Sequence, residues 1–387
     1  MNTIATSPIV TPSPRPATDE ALKLMCPPAG LQPFAARVGE SPGTWIDYAA
    51  HPAYQPLVQS ASLTARLASL LVFGKYFGVI LCKRLVSYEL IPGHLRKPAS
   101  ASGWLRLLRE AGGNALRKIV PRSDAPAATA GGLAVRESLN RDGVCVAQVD
   151  APHFARIAAI TQPLYDRLRQ ARGKRAEGGR EFDESRSYAL RTAHAELFAA
   201  VGDALERSGI LDGVSAYIGR RAALIDVNPQ INDPSDDFWR RIFADLPPAE
   251  RPAAYLHRDA SGGDIKAIFY LSDVGPENGP FAYAIGTQTV RSGTLRDWIE
   301  ETNDQSACSG TGPVNRGRFA ALPVALRRKC SFGNDVLPAT EIAQRVLGAE
   351  WTITAPRGHV VLFDTKGFHR GGMVRQGERL VLTCVLG

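Results

Sequence analysis

The sequence predicts an α+β chain, mainly β in its second half, with an antiparallel sheet core, helices packed on one side of it and an extra helical region at the N-terminus. Three observations carry this. From residue 222 onward, apolar runs of strand length dominate: "AALIDVN", "IKAIFYLSDV", "WTIT", "HVVLFD" and "RLVLTCV". Before them come two amphipathic helical patterns, "PHFARIAAITQPLYDRLRQA" and "ESRSYALRTAHAELFAAVGDALERSG". Helices followed by a run of strands is the texture of a sheet with helices segregated to one side. Third, "PRSDAPAATAGG", residues 121–132, is small, polar and broken by proline and glycine, so it separates this half from what precedes it.

The N-terminal elements follow in order. "MNTIATSPIVTPSPRPATDEA" is rich in Pro, Ser and Thr and lacks a charged-then-apolar leader pattern, so 1–22 is expected as a disordered tail. Residues 23–120 form the helical accessory region. Its most apolar part is "LTARLASLLVFGKYFGVILCKRLVSYELI". The run Leu67–Cys82 contains Lys75 and falls short of the about 20 apolar residues a membrane span needs, so a buried accessory helix is expected. A second, basic helix follows at 103–120.

The charge of the chain is concentrated here. Net charge is +8, and Arg66–Arg122 alone holds eleven Lys/Arg against two Glu. Such a patch points to an anionic neighbour, such as a phosphate, a lipid headgroup or a nucleic acid, or is simply a solvated helical face. The segment 66–122 is therefore a candidate for a membrane surface, and no nucleic-acid partner is expected. The six cysteines are scattered without a CxxC pair or a secreted framework, which predicts free thiols and a cytoplasmic location, peripheral to a membrane if the basic segment meets one.

Residues 133–387 are expected to form the sheet domain. "RESLNRDGVCVAQVD" reads as a short helix, a turn at Asp142-Gly143 and a strand. Between Arg291 and Glu350 the pattern lapses into polar, Gly- and Arg-containing sequence, with Arg316, Arg318, Arg327 and Arg328. This stretch is too long for a hairpin loop, and 291–350 is expected as a mobile lid over a substrate.

The chemistry is concentrated in "YLHRDASGG". In an extended strand residues i and i+2 share a face, so His257 and Asp259 can aim at one point. That point is a metal ion or an ordinary polar strand end. A redox iron site of the facial-triad type takes two His and one carboxylate and leaves three positions open, so a third ligand must come from elsewhere. Two histidines follow the motif. His359 opens "HVVLFD" as a strand-edge residue. His369 sits in the glycine-flanked "DTKGFHRGG", where backbone can approach a site closely, and is the preferred ligand over His359. Asp364, five residues earlier, reads as a turn residue or a supporting group. In the last strand, alternation places Arg379, Val381 and Thr383 on one face. A guanidinium on an inner face is costly without an anion, and a bound carboxylate would serve; a strand-end Arg reaching solvent is the alternative.

The segments "LHRDASGGDIKAIFYLSDVGPENGPFAYAIGTQ" and "PRGHVVLFDTKGFHRGGMVRQGERLVL" resemble the two signature regions of the phytanoyl-CoA dioxygenase family, over about residues 133–387. The resemblance implies a double-stranded β-helix (jelly roll). It also implies Fe(2+) held by His257, Asp259 and His369, 2-oxoglutarate as co-substrate with Arg379 on its distal carboxylate, and molecular oxygen as oxidant. The implied reaction is hydroxylation of an unactivated C–H of a small-molecule substrate. Halogenases related to this family carry a small residue in place of the aspartate; Asp259 is present. The family's Ser-His segment reads "AIGTQ" here, with Thr287 and Gln288. Two other readings use the same residues: a zinc hydrolase, which has no use for a carboxylate clamp, and a metal-binding β-barrel without oxygenase activity.

Overall fold

The computed structural model describes residues 22–35, 55–86, 101–119, 129–175, 194–234, 256, 258–259, 265–290, 295, 298–299, 301–303, 313–327 and 341–387. Two antiparallel sheets carry the fold. The larger contains β1 (Leu24–Met25), β2 (Val144–Gln148), β3 (Leu224–Asn232), β4 (Ile265–Tyr270), β7 (His359–Asp364) and β9 (Arg379–Leu386), in the order β1-β2-β7-β4-β9-β3. The smaller is β6-β5-β8, built from β5 (Phe281–Ala284), β6 (Glu350–Ile353) and β8 (His369–Gly371).

The period-2 pattern of the strands determines what each face of the larger sheet meets. One set, with Cys145, Ala267, Phe269, Leu362, Leu382 and Cys384, packs in one apolar cluster with Leu139, Ile157, Leu197, Val201 and Val214 from the helices. These helices are α4 (Ala130–Asp142), α5 (Ala151–Arg175), α6 (Ala195–Arg207) and α7 (Ile210–Ile218). The alternate set, with Val146, Tyr270, Val361, Phe363 and Val381, joins Phe281, Tyr283, Trp351 and Ile353 of the smaller sheet in a second cluster. A slip of one residue in any of these strands would exchange the two faces. Each large apolar side chain so buried contributes roughly 1.5–3 kcal/mol relative to exposure, which holds the register.

The structure moves two expected boundaries. Residues 22–35 belong with the sheets rather than with a purely helical accessory region. Leu24 and Met25 pair with Ala147 and Val146, and Phe34 is buried in the inter-sheet core with its N–H on the Ile285 carbonyl at 2.8 Å. Likewise the end of the expected linker is helix: α4 starts at Ala130, and the Thr129 hydroxyl caps it by accepting from the Gly132 N–H. Gly132 reads as a breaker in sequence. In the fold it lets α4 lie against α7, because a Cβ there would come 3.0 Å from the Gly213 nitrogen.

Helix α2 (Leu63–Val86) corrects a third expectation, since it is not buried. By length and composition Leu63–Cys82 could cross a membrane, yet only 11% of that window is buried. Ser69 and Ile80 face the protein, and Phe73 packs against the inter-sheet core. The helix is anchored along one face, against α3 (Ala101–Ile119) and the helix Pro313–Ala320, on which α1 (Gln55–Ser60) also packs.

Within 291–350, the described parts include α8 (Pro313–Ala320), α9 (Val324–Arg327) and α10 (Glu341–Gly348). They bury Phe319, Leu322 and Val346 in the inter-sheet core, and buried Arg327 donates to the Ala320 carbonyl at 2.8 Å. These pieces are part of the packed body, as are the buried Glu301, Thr302 and Asn303, while residues 328–340 of the expected lid lie outside the described residues.

Candidate active site

His369 opens β8 at the rim of the smaller sheet, opposite Tyr283 of β5 in register. Its ring is nearly enclosed, 4% exposed, with the rings of Phe363, Phe281 and Tyr283 centred 4.8, 5.8 and 6.4 Å away. Its Nδ1 lies 3.0 Å from the Gly367 carbonyl. A carbonyl only accepts, so Nδ1 carries the proton, and in the neutral ring Nε2 keeps its lone pair. That nitrogen faces Asp259, whose Oδ1 is 3.7 Å away.

The loop that presents His369 depends on close contacts between distant parts of the chain. A Cβ on Gly367 would fall 1.9 Å from the Tyr283 hydroxyl, so only glycine fits there. The Tyr283 hydroxyl donates to the Asp364 carbonyl at 2.9 Å. Thr287 fixes the residue before the histidine: its hydroxyl accepts from the Phe368 N–H at 2.8 Å and donates to the Ala284 carbonyl at 2.6 Å. Gln288 turns to the C-terminal carbonyls of α4, at Leu139 and Asn140. Thr287 and Gln288 thus brace the scaffold at the place where the resembled family carries Ser-His.

Asp259 is tied to the same loop, because its N–H donates to the Thr365 carbonyl at 3.0 Å. Asp364 ends β7 and begins the turn to Gly367; its carboxylate accepts from the Tyr217 hydroxyl at 2.6 Å and from the Lys366 N–H at 2.8 Å. Burial first, and then this carboxylate, push the Tyr217 and Tyr283 hydroxyls above the ordinary phenol range, so both are protonated donors. The other Asp259 oxygen, Oδ2, is 2.7 Å from the ammonium of Lys266, on the inner face of β4. Lys266 turns one carboxylate oxygen away from His369 and leaves the other toward it. Arg258 is fully buried, with its guanidinium 4.5 Å over the Phe368 ring.

The structure therefore brings Asp259 and His369 together. His257 lies outside the described residues. His359 is elsewhere, at the start of β7, with Nδ1 2.9 Å from the Pro356 carbonyl. Among the described residues no group of three His, Cys, Asp or Glu could hold a metal. The pair does suit a shared ion, since two donors about 2.1 Å from one ion can be no more than roughly 4.2 Å apart.

Arg379 begins β9 at 7% exposure, and its Nε and Nη1 have no hydrogen-bond partner among the described residues. Desolvation lowers its pKa, with the Tyr270 hydroxyl acting the other way. Gly371, two residues after His369, adjoins it: a Cβ there would lie 3.4 Å from Nη2. Opposite Arg379 on β3 is Asn232; buried Asn232 Nδ2 and Asn228 Oδ1 also lack partners among the described residues. Sequence reading missed Lys266, Asn228 and Asn232, and noted Thr287 without its bracing role. Only the asparagines had a signal, in the polar alternation Asn228, Gln230, Asn232 beside the apolar Val227 and Ile231.

No family model matches the chain, and no curated protein matches it. Among solved structures the chain is similar to AviO1 from Streptomyces viridochromogenes Tue57, at 15% identity over 67% of this chain and 96% of that one, with a TM-score of 0.36. It is similar to EctD from S. alaskensis, solved with 2-oxoglutarate and 5-hydroxyectoine, at 14% identity over 65% and 74%, with a TM-score of 0.38. A third is SnoK, a non-heme alpha ketoglutarate dependent carbocyclase from nogalamycin biosynthesis, at 14% identity over 65% and 82%, with a TM-score of 0.37. Of these similar structures, SnoK is described as alpha ketoglutarate dependent and EctD was solved with 2-oxoglutarate.

Proposed function

We propose that the protein is an Fe(II)- and 2-oxoglutarate-dependent oxygenase on a double-stranded β-helix, of the kind found in the phytanoyl-CoA dioxygenase family. Its substrate would be a small molecule, lipid- or sugar-like and anionic in character. The single observation that carries this reading is Arg379, a buried guanidinium with two donors unsatisfied among the described residues, beside the loop of His369. An unpaired buried cation is costly, and a carboxylate is the partner whose geometry matches it. A hydrolytic metal site has no need of such a clamp.

His257, Asp259 and His369 would hold the iron, and Arg379 the distal carboxylate of 2-oxoglutarate. Bound iron would supply the redox chemistry by which 2-oxoglutarate, oxygen and R–H become succinate, carbon dioxide and R–OH. One oxygen atom enters the new succinate carboxylate and the other enters the product. The protein's own part is orientation and exclusion of water. Gly367 fixes the His369 tautomer, Lys266 leaves one Asp259 oxygen toward the ligand position, and Phe281, Tyr283 and Phe363 keep the imidazole dry.

The test is a small-molecule screen with Fe(II), 2-oxoglutarate and oxygen, read as succinate formed above the uncoupled rate. Succinate formation that requires oxygen and Fe(II) supports the reading. Turnover that proceeds without oxygen points to the hydrolase, and metal binding with no succinate from any substrate points to a binding protein.

A further inference from the structure

Among the described residues the exposed apolar surface is concentrated at one place. Of the eleven large hydrophobic residues most exposed among the described residues, seven lie on α2 and α3. On α2 they are Leu63, Leu67, Leu70 and Leu71, between 38% and 76% exposed. At 3.6 residues per turn these four fall within about 100° of the helix circumference. They point away from Ser69, Phe73 and Ile80, which face the protein. Arg66 and Lys75, both exposed, border the stripe on its two sides. On α3, which packs on α2, Trp104, Leu105 and Leu108 are 55% to 69% exposed, and the exposed Arg106 and Arg109 adjoin them.

We infer that this face docks on a lipid bilayer bearing anionic headgroups. The helix lies in the interface rather than crossing it, because crossing would strip Ile80 and Phe73 from the body of the protein. The apolar stripe would enter the headgroup boundary, while long cationic side chains at its edges reach the phosphates. Charge selects this occupant over a second copy of the chain. Arg66–Arg122 carries eleven Lys/Arg and two Glu, so pairing the face with itself would oppose two strongly positive segments. An anionic surface has the complementary sign.

The experiment is flotation of the full chain with vesicles of phosphatidylcholine alone and of phosphatidylcholine with phosphatidylserine. The expected result is flotation with the anionic vesicles, weakened by salt, and little with the neutral ones. Arg106→Glu/Arg109→Glu alters only exposed positions and should lower the vesicle-bound fraction about tenfold or more. Leu67→Glu/Leu71→Glu should abolish flotation while the circular dichroism and melting curve stay those of the parent. Absence of flotation with either vesicle overturns the inference, as does equal flotation of the parent and the charge-reversed variant. A concentration-dependent dimer that does not float and that protects α2 from hydrogen exchange would assign the face to a second copy instead.

Discussion

Nε2 of His369 and Oδ1 of Asp259 stand 3.7 Å apart, and each is aimed by a contact behind it: the Gly367 carbonyl holds the imidazole, and the Lys266 ammonium holds the second carboxylate oxygen. The two donors lie 110 residues apart in the sequence, and the bond from the Asp259 N–H to the Thr365 carbonyl joins their loops. A pair oriented in this way makes separable demands on the residues around it.

His369→Ala should abolish the visible charge-transfer band that Fe(II) and 2-oxoglutarate give together without oxygen. His359→Ala should leave it intact, because that ring is engaged with the Pro356 carbonyl. Anaerobic titration of both variants checks this. A band kept by the first and lost by the second would transfer the ligand role to His359.

Lys266→Met removes the ammonium that fixes the Asp259 rotamer. Groups that orient a metal ligand typically govern 10–100-fold in affinity, and a loss of about that size in Fe(II) binding is expected. Tighter binding would instead show that the ammonium competes with the metal for the carboxylate.

Arg379→Ala should bind Fe(II) as the parent does and need far more 2-oxoglutarate. Truncating one partner of a buried charge pair costs on the order of 2–5 kcal/mol, or about thirty-fold to several-thousand-fold in affinity. Arg375→Ala serves as the control, since Arg375 is 69% exposed and its nearest carboxylate, 3.8 Å away, is the exposed Glu277. The 2-oxoglutarate dependence of the charge-transfer band measures both. Unchanged affinity in Arg379→Ala would remove the main support for the oxygenase reading.

Thr287→Val should destabilise the fold by about 1–3 kcal/mol, because it leaves the buried Phe368 N–H without its acceptor. Thr287→Ser keeps the hydroxyl and should recover most of that loss. Denaturant unfolding of the three proteins gives the comparison, and equal stabilities would mean that the bridge from Ala284 to Phe368 is dispensable.

Much of this architecture was legible in the sequence. The long strands β3, β4, β7 and β9 declare themselves as apolar runs of strand length, and alternation in the last of them put Arg379 on the face of Val381. The glycines around His369 marked a tight loop without saying what pressed on it. Sequence reading did not find the short strands β5 and β8: "FAYA" is buried at all four positions and has no alternation, and "HRG" is too short to show any. Lys266 on Asp259 and Thr287 on Phe368 were also invisible, as was the role of Gly367, whose space is taken by the Tyr283 hydroxyl. These contacts join residues from different strands and loops, and no local pattern encodes them. Helix α2 divides the two kinds of information most clearly. Its composition states that it is apolar, but whether protein covers an apolar face depends on what the rest of the chain brings to it, and here the fold covers one side and leaves Leu67 and Leu71 exposed.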